Sequence, residues 1–254
     1  MRLLLDMGNT RIKWALQGHS SVWLARGAME WHEAGTARGL TEAWMDLPHP
    51  AAVFAASVVD SEREAAVAAV VEQLYGCAPI WLRTPATACG VRNAYAEPHR
   101  LGVDRFLAMV AARAEGMAPC VLASAGTALT LDALAADGQH LGGLIAPGAR
   151  LMQQSLLGAT ARVRPEQPGQ IVDLADNTAD AVMSGCWQAL AALVERFAAR
   201  AAPFLGASPT LILDGGDAER LLPLLSLPAH MGVDGVLRGL AVWASTQMAP
   251  SSSV

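Results

Sequence analysis

Apolar residues fill positions 3–5, stop at Asp6, and resume at 12–16 after the turn formers Gly8, Asn9 and Thr10. That pattern predicts two strands joined by a tight turn, with residues 21–28 as a third strand. Residues 33–45 have helical composition, interrupted by Gly35 and Gly39. Positions 51–57 read as a short buried strand. Residues 62–75 read as an amphipathic helix, with Asp60 or Ser61 as its N-cap and Gly76 as its stop. A strand at 79–82 leads into the loop TPATACGVRNAYAEPHR, dense in turn formers. A helix over 102–116 follows, opening on Val103, Asp104 and Arg105.

From Pro119 the order begins again. Residues 120–124 are an apolar strand, Ala125, Gly126 and Thr127 a turn, and 129–134 a second strand. Asp137-Gly138 is a hairpin signal before a third strand at 141–146. A helix over 149–157, a loop over 162–173 and a long helix over 178–201 come next. A strand at 211–214 runs into Gly215 and Gly216, with helices over 218–225 and 233–248 beyond. LLDMGNT and LASAGTA superpose without a gap, so that Asp6 falls on Ser124, Gly8 on Gly126 and Asn9 on Thr127. The chain therefore reads as a diverged repeat of two α/β halves, 1–117 and 118–254. A ligand-binding cleft is expected between two such lobes.

Composition narrows the classes of partner. Hydrophobic residues make up 53% of the 254 and charged ones 16%, ample for a sizeable core. The net charge of −5 and the lack of a basic stripe argue against nucleic acid. Cys77, Cys89, Cys120 and Cys186 have no C-x-x-C spacing, which suits reduced thiols in a cytoplasmic protein. The apolar run at the N-terminus breaks at Asp6, unlike a signal peptide. No run reaches the ~18 apolar residues of a membrane span. His32, His49, His99 and His140 show no ligand spacing.

The first turn carries the chemistry. A tight turn between strands points several backbone N–H groups into one concavity, a nest for phosphate. Glycine lets the anion approach closely. Lys13 adds a point charge, and Asp6 suits a Mg²⁺ ion held through water, since Mg²⁺ takes few carboxylates and leans on substrate phosphates. Taken alone, Gly-Asn-Thr is an ordinary turn. Asp6, Gly8, Asn9, Thr10 and Lys13 together, with a second turn at Gly126 and Thr127, favour an anion site.

DMGNTRIK resembles the phosphate hairpin of the acetate/sugar kinase–heat-shock–actin superfamily, in the D-x-G-N-T-x-x-K form of the type III pantothenate kinases. Some of those relatives are called Bvg accessory factors. Leu101-Gly102-Val103-Asp104-Arg105-Phe106 resembles the family's G-x-D-R element. Ser124-Ala125-Gly126-Thr127-Ala128-Leu129-Thr130 resembles its second phosphate loop. Gly142-Gly143-Leu144-Ile145-Ala146-Pro147-Gly148 is similar to its G-G-x-I-x-P-G segment. Asn177-Thr178 with Ser184-Gly185, and Leu213-Asp214-Gly215-Gly216, complete an ordered set from residue 6 to residue 218.

The resemblance implies an actin-like, ribonuclease H-like duplicated fold: α/β, two similar lobes each built on a mixed sheet flanked by helices, with nucleotide in the cleft. It implies ATP-dependent phosphorylation of pantothenate with Mg²⁺, the first step of coenzyme A synthesis, by a homodimer. Asp6, Met7, Gly8, Asn9, Thr10, Arg11, Ile12, Lys13 and Thr127 would bind ATP. Tyr95, Gly102, Val103, Asp104, Arg105 and Thr178 would bind pantothenate, Thr178 from the neighbouring subunit. Asp104 is the expected base, kept ionised by its place in a first helical turn. By itself it reads equally as a first-turn acid, Arg105 as a surface arginine, Tyr95 as loop packing and Thr178 as part of a helix start. The relatives carry Asp where this chain has Ser124, and that Asp holds K⁺ or NH₄⁺, so the monovalent-cation site is expected to be weak here. Two rivals stand beside this reading: another small-molecule kinase of the superfamily, and an ATP-binding regulatory protein with no turnover.

Overall fold

The computed structural model describes residues 1–18, 22–32, 35–160, 167–206 and 209–248. The chain divides into two compact units, Met1–Glu115 with the segment from Asp234 onward, and Gly116–Val233.

The first unit opens with β1 (Arg2–Met7), β2 (Arg11–Gln17) and β3 (Trp23–Glu30), an antiparallel meander. Then come α1 (Thr36–Trp44), β4 (Ala52–Ser57), α2 (Ser61–Tyr75) and β5 (Ile80–Leu82). The small hairpin β6 (Thr87–Ala88) and β7 (Val91–Arg92) precedes α3 (Val103–Ala114). β4 and β5 add to β1 in parallel, giving the order β3-β2-β1-β4-β5. Asp60 is the N-cap of α2, its carboxylate accepting the Arg63 N–H at 2.9 Å, and Gly76 ends the helix in the left-handed region. Ser21 and Glu33, expected to open the third strand and the first helix, lie outside the described residues.

The second unit repeats the plan. β8 (Cys120–Ala125), β9 (Ala128–Leu134) and β10 (His140–Pro147) form an antiparallel meander. α4 (Ala149–Ala159) and α5 (Thr178–Leu205) lead to β11 (Thr210–Asp214), and α6 (Ala218–Leu221) leads to β12 (Ala229–Met231). The order β10-β9-β8-β11-β12 matches the first sheet strand for strand. The two sheets establish the duplicated α/β fold expected from the sequence. Asn177 caps α5, accepting the Asp180 N–H at 3.0 Å and donating to its carboxylate at 2.8 Å. The helix runs to Leu205, past the expected end at 201. Of the expected loop at 162–173, residues 162–166 lie outside the described residues.

Strand alternation sorts the first sheet into two faces. Leu3, Leu5, Met7, Ile12, Trp14 and Leu16 pack against α1 and α2. Leu4, Ala15, Phe54 and Ala56 pack against Val103 and Leu107 of α3 and against α7 (Gly235–Met248), through Leu237, Leu240 and Ala244. Asp6 and Lys13 share the parity of Leu4 and Ala15, so they lie on the α3/α7 face at the ends of their strands. In the second sheet Val121, Ala123, Leu129, Leu131 and Leu213 face α5. Ser124, Thr130, Asp132 and Asp214 lie on the other side.

The place of α7 corrects the division expected at residue 117. The helix follows β12 in sequence but belongs with the first sheet. Burial decides this: Leu237 and Leu240 are fully covered there, each worth roughly 1.5–3 kcal/mol. Gly239 meets α3 so closely that a Cβ would overlap the Leu107 carbonyl. Arg2 ties the start of β1 to the same helix, donating to Ala241 O at 2.9 Å and Ser245 Oγ at 2.8 Å.

Candidate active site

Asp6 and Lys13 are direct partners across the β1–β2 ladder, and so are Met7 and Ile12, which leaves Gly8 to Arg11 as the turn. The Gly8 N–H donates to Arg11 O at 3.1 Å and closes it. Asn9, Thr10 and Arg11 are exposed at its tip, while Met7 and Ile12 are fully buried. Of the eight residues expected to bind ATP here, those two have core side chains, and only their backbone faces the turn.

Two residues that no motif marked also act on this hairpin. The Trp31 indole Nε1 donates to Gly8 O at 2.7 Å, and the Trp31 backbone N–H to Thr10 O at 3.2 Å. Asp234, at the entry to α7, takes Lys13 Nζ at 3.5 Å on one oxygen and Arg26 Nη1 at 3.5 Å on the other. Its φ of 53° lies in the left-handed region, which Asp tolerates better than most residues.

The second cluster of the first unit lies at the start of α3. Asn93 organises the loop before it, donating to Pro98 O at 3.0 Å and accepting the Tyr95 N–H at 2.9 Å. Thr84 Oγ1 donates to Leu101 O at 2.7 Å, tying the two ends of the loop together. Tyr95 is thereby set against Arg105, whose Nη1 donates to the phenolic oxygen at 3.1 Å. Arg105 is 6% exposed, which excludes the surface-arginine reading. Its guanidinium presents a fixed fork of donors. Asp104 is in the first turn, and its Oδ1 accepts the Arg105 N–H at 2.8 Å. Gly102 precedes the helix, and a Cβ there would crowd that same carboxylate oxygen, which would have to turn aside. The structure brings Tyr95, Asp104 and Arg105 together.

In the second unit the β8–β9 turn is one residue tighter, with Ala125 paired to Leu129 and the Gly126 N–H donating to Ala128 O at 3.0 Å. Two other glycine segments press on it. The Gly148 N–H donates to Thr127 O at 2.9 Å, and a Cβ there would overlap the Gly126 carbonyl. Gly215, at φ 102°, abuts Ala125 in the same way, and the Asp217 N–H donates to Ala125 O at 3.0 Å. Gly148 and Gly215 thus both press on the Ala125–Thr127 turn, at which Thr127 is exposed.

Ser124 is exposed, with Thr130 and Asp214 as its lateral neighbours. Asp132, on the same sheet face two residues beyond Thr130, is buried and 2.9 Å from Nε2 of the fully buried His140. Asp214 is therefore the acid beside Ser124, and its Oδ1 takes the Gly215 N–H at 2.6 Å. Thr178 is the exposed first residue of α5. Ser184 pins the preceding segment, accepting the Val172 N–H at 2.9 Å.

Among the described residues no group of three or more His, Cys, Asp or Glu could hold a metal. The Asp6 carboxylate beside this turn suits an ion that brings other oxygen ligands with it and keeps most of its water. Burial raises the pKa of all four cysteine thiols, Cys120 to about 12, which suits structural thiols and not nucleophiles. No described helix is long and apolar enough to cross a membrane.

The model of one family, described as type III pantothenate kinase, matches residues 2–200. A type III pantothenate kinase of Aromatoleum aromaticum is 41% identical over 96% of this chain and 98% of its own length. One from Laribacter hongkongensis is 43% identical over 95% and 97%. Among solved structures, a Baf-family protein from Campylobacter jejuni aligns with a TM-score of 0.62 at 19% identity, over 96% of this chain and 98% of that one. A Sinorhizobium meliloti protein assigned as a 2-dehydro-3-deoxygalactonokinase also gives 0.62, at 14% identity, over 98% and 100%. These two structures bear on the fold alone.

Proposed function

The chain belongs to the type III pantothenate kinase family, and from that membership we propose how its residues carry out ATP-dependent phosphorylation of pantothenate to 4′-phosphopantothenate, the first step of coenzyme A synthesis. The observation that carries the reading is the cluster of Asp104, Arg105 and Tyr95 at the head of α3.

A primary alcohol is a poor nucleophile at neutral pH, and phosphoryl transfer needs it aligned with the γ-phosphate and relieved of its proton. Asp104 is the proposed base: a carboxylate at a helix N-terminus stays ionised and can accept that proton. Arg105 is the proposed partner of the pantothenate carboxylate, by charge-assisted hydrogen bonds, with Tyr95 holding the guanidinium in place. Gly102 and Val103 shape the approach, and Thr178 reaches the substrate from the neighbouring subunit of a homodimer. On the ATP side, the first turn and Lys13 take phosphate oxygens, and Thr127 is a further proposed phosphate donor. Mg²⁺ bound with ATP supplies charge neutralisation, and Asp6 would hold it through water. The proposed compartment is the cytoplasm.

The test is direct. Protein, ATP, Mg²⁺ and pantothenate are incubated, and the product is read by mass spectrometry with ADP measured in parallel. One added phosphate on pantothenate and matching ADP are expected. Folded protein that binds ATP but forms no product would favour the regulatory rival. Phosphate on another alcohol in preference to pantothenate would favour the other-kinase rival.

A further inference from the structure

We propose that Trp31 is a positioning residue for ATP: its indole holds the first phosphate turn in the orientation that presents N–H groups to the anion. The inference rests on the reading of that turn as the ATP site.

In a trans peptide the C=O and the following N–H point in opposite directions. Gly8 C=O is drawn to the Trp31 indole at 2.7 Å, so the Asn9 N–H in the same plane is aimed away from it. Thr10 C=O is drawn to the Trp31 backbone N–H at 3.2 Å, which aims the Arg11 N–H away in turn. One residue thus retracts two carbonyls and presents two donors. An anion nest needs both, because a carbonyl oxygen turned inward repels phosphate. Glycine at position 8 gives the Gly8–Asn9 plane little steric resistance to flipping, so an external hold is needed.

Trp31 is itself fixed. It packs against the cluster that includes Leu3, Met7 and Ile12, on the α1/α2 side of the sheet. Asp6 and Lys13 lie on the opposite face, so the indole does not occupy their side of the turn. Arg63, in the first turn of α2, lies over the indole with Cζ 5.5 Å from the ring centroid. Arg63 is anchored in turn by the Asp60 cap.

The second turn reaches a similar result by other means. There Ala125 O is taken by the Asp217 N–H at 3.0 Å and Thr127 O by the Gly148 N–H at 2.9 Å. Retraction of carbonyls thus recurs in both halves. Backbone donors supply it in the second unit. In the first, one of the two donors is a side chain, and a side chain can be replaced.

Trp31→Phe keeps a ring for Arg63 and loses the indole N–H; Trp31→Gln keeps a side-chain N–H and loses the ring. For the Phe variant the KM for ATP should rise roughly three- to tenfold, the usual worth of one hydrogen bond. The KM for pantothenate and the unfolding temperature should hold, and Gln should recover most of the loss. A Phe variant with the parent KM for ATP overturns the proposal. So does an equal rise in both KM values, which marks a merely structural role. Lys13→Ala separates this from the site reading. If it raises the KM for ATP and Phe does not, Trp31 alone is misassigned; if it too leaves that KM unchanged, the ATP site lies elsewhere. Should the Phe variant not fold, hydrogen exchange on the unaltered protein decides. ATP should slow exchange of the Asn9 and Arg11 amides, and unchanged exchange there overturns the proposal.

Discussion

The β1–β2 and β8–β9 hairpins occupy the same place in two sheets of identical strand order, yet they differ in kind. The first pairs Asp6 with Lys13, and its unit also carries Asp104 and Arg105. The second pairs Ser124 with Thr130 and is built from glycines so tightly stacked that two of them exclude a Cβ. Duplication supplied two equal frames. One kept formal charge at its turn, and the other kept close backbone approach with a hydroxyl at its tip. Charge can act on a proton or a metal, whereas a glycine cradle acts through shape, so the two halves should respond differently to substitution.

The largest contrast is expected at Asp104. Asp104→Asn should lower kcat by roughly 10²–10⁴-fold, the worth of a positioned base, with ATP binding nearly unchanged. Steady-state kinetics with an ATP-binding measurement check both parts, and turnover close to the parent rate would return Asp104 to the role of a first-turn acid. Lys13→Ala comes next, with kcat/KM for ATP falling roughly 10–100-fold for the loss of a charge-assisted contact.

In the second unit the expected damage is to folding. Gly215→Ala places a Cβ at φ 102° against Ala125 and should cost about 1–3 kcal/mol for the backbone strain alone, read as a lower denaturant midpoint. A variant as stable as the parent would show that the turn has room to give. The smallest effect concerns Ser124. With a neutral hydroxyl in place of a carboxylate, rates should be nearly equal in sodium, potassium, ammonium and Tris buffers at one ionic strength. Loss of most activity without K⁺ or NH₄⁺ would mean that Asp214, beside Ser124, holds the cation instead. If the rates are flat, Ser124→Asp should create a K⁺ response.

What the chain revealed in advance follows the range of the forces involved. The Asp60 cap, the Gly76 stop and the Asn177 cap act over three or four residues and are visible in a short window. The gapless match of LLDMGNT with LASAGTA exposed the repeat because both copies kept the strand–turn pattern. Partners distant in sequence stayed hidden. Trp31 meets Gly8 and Arg63, Asp234 meets Lys13, and no local period links any of them. Asp132 and His140 are eight residues apart, but their pairing depends on the β9–β10 register, which shifts just there. The strands β6, β7 and β12 are too short, at two or three residues, to show alternation. The sequence of α7 announced a helix; which sheet it covers depends on a face assembled from residues far upstream.

That last helix has a consequence for synthesis on the ribosome. The first sheet can form once β5 has emerged, but the α7 part of its cover is not yet made. All of Gly116–Val233 must be translated first, roughly 6–24 s of elongation at about 5–20 residues per second. During that interval Leu4, Phe54 and Leu107 lack a partner that later seals them. The second unit can mature as an insert while the first is still half-dressed, so nascent chains arrested before residue 235 should be the ones that chaperones hold.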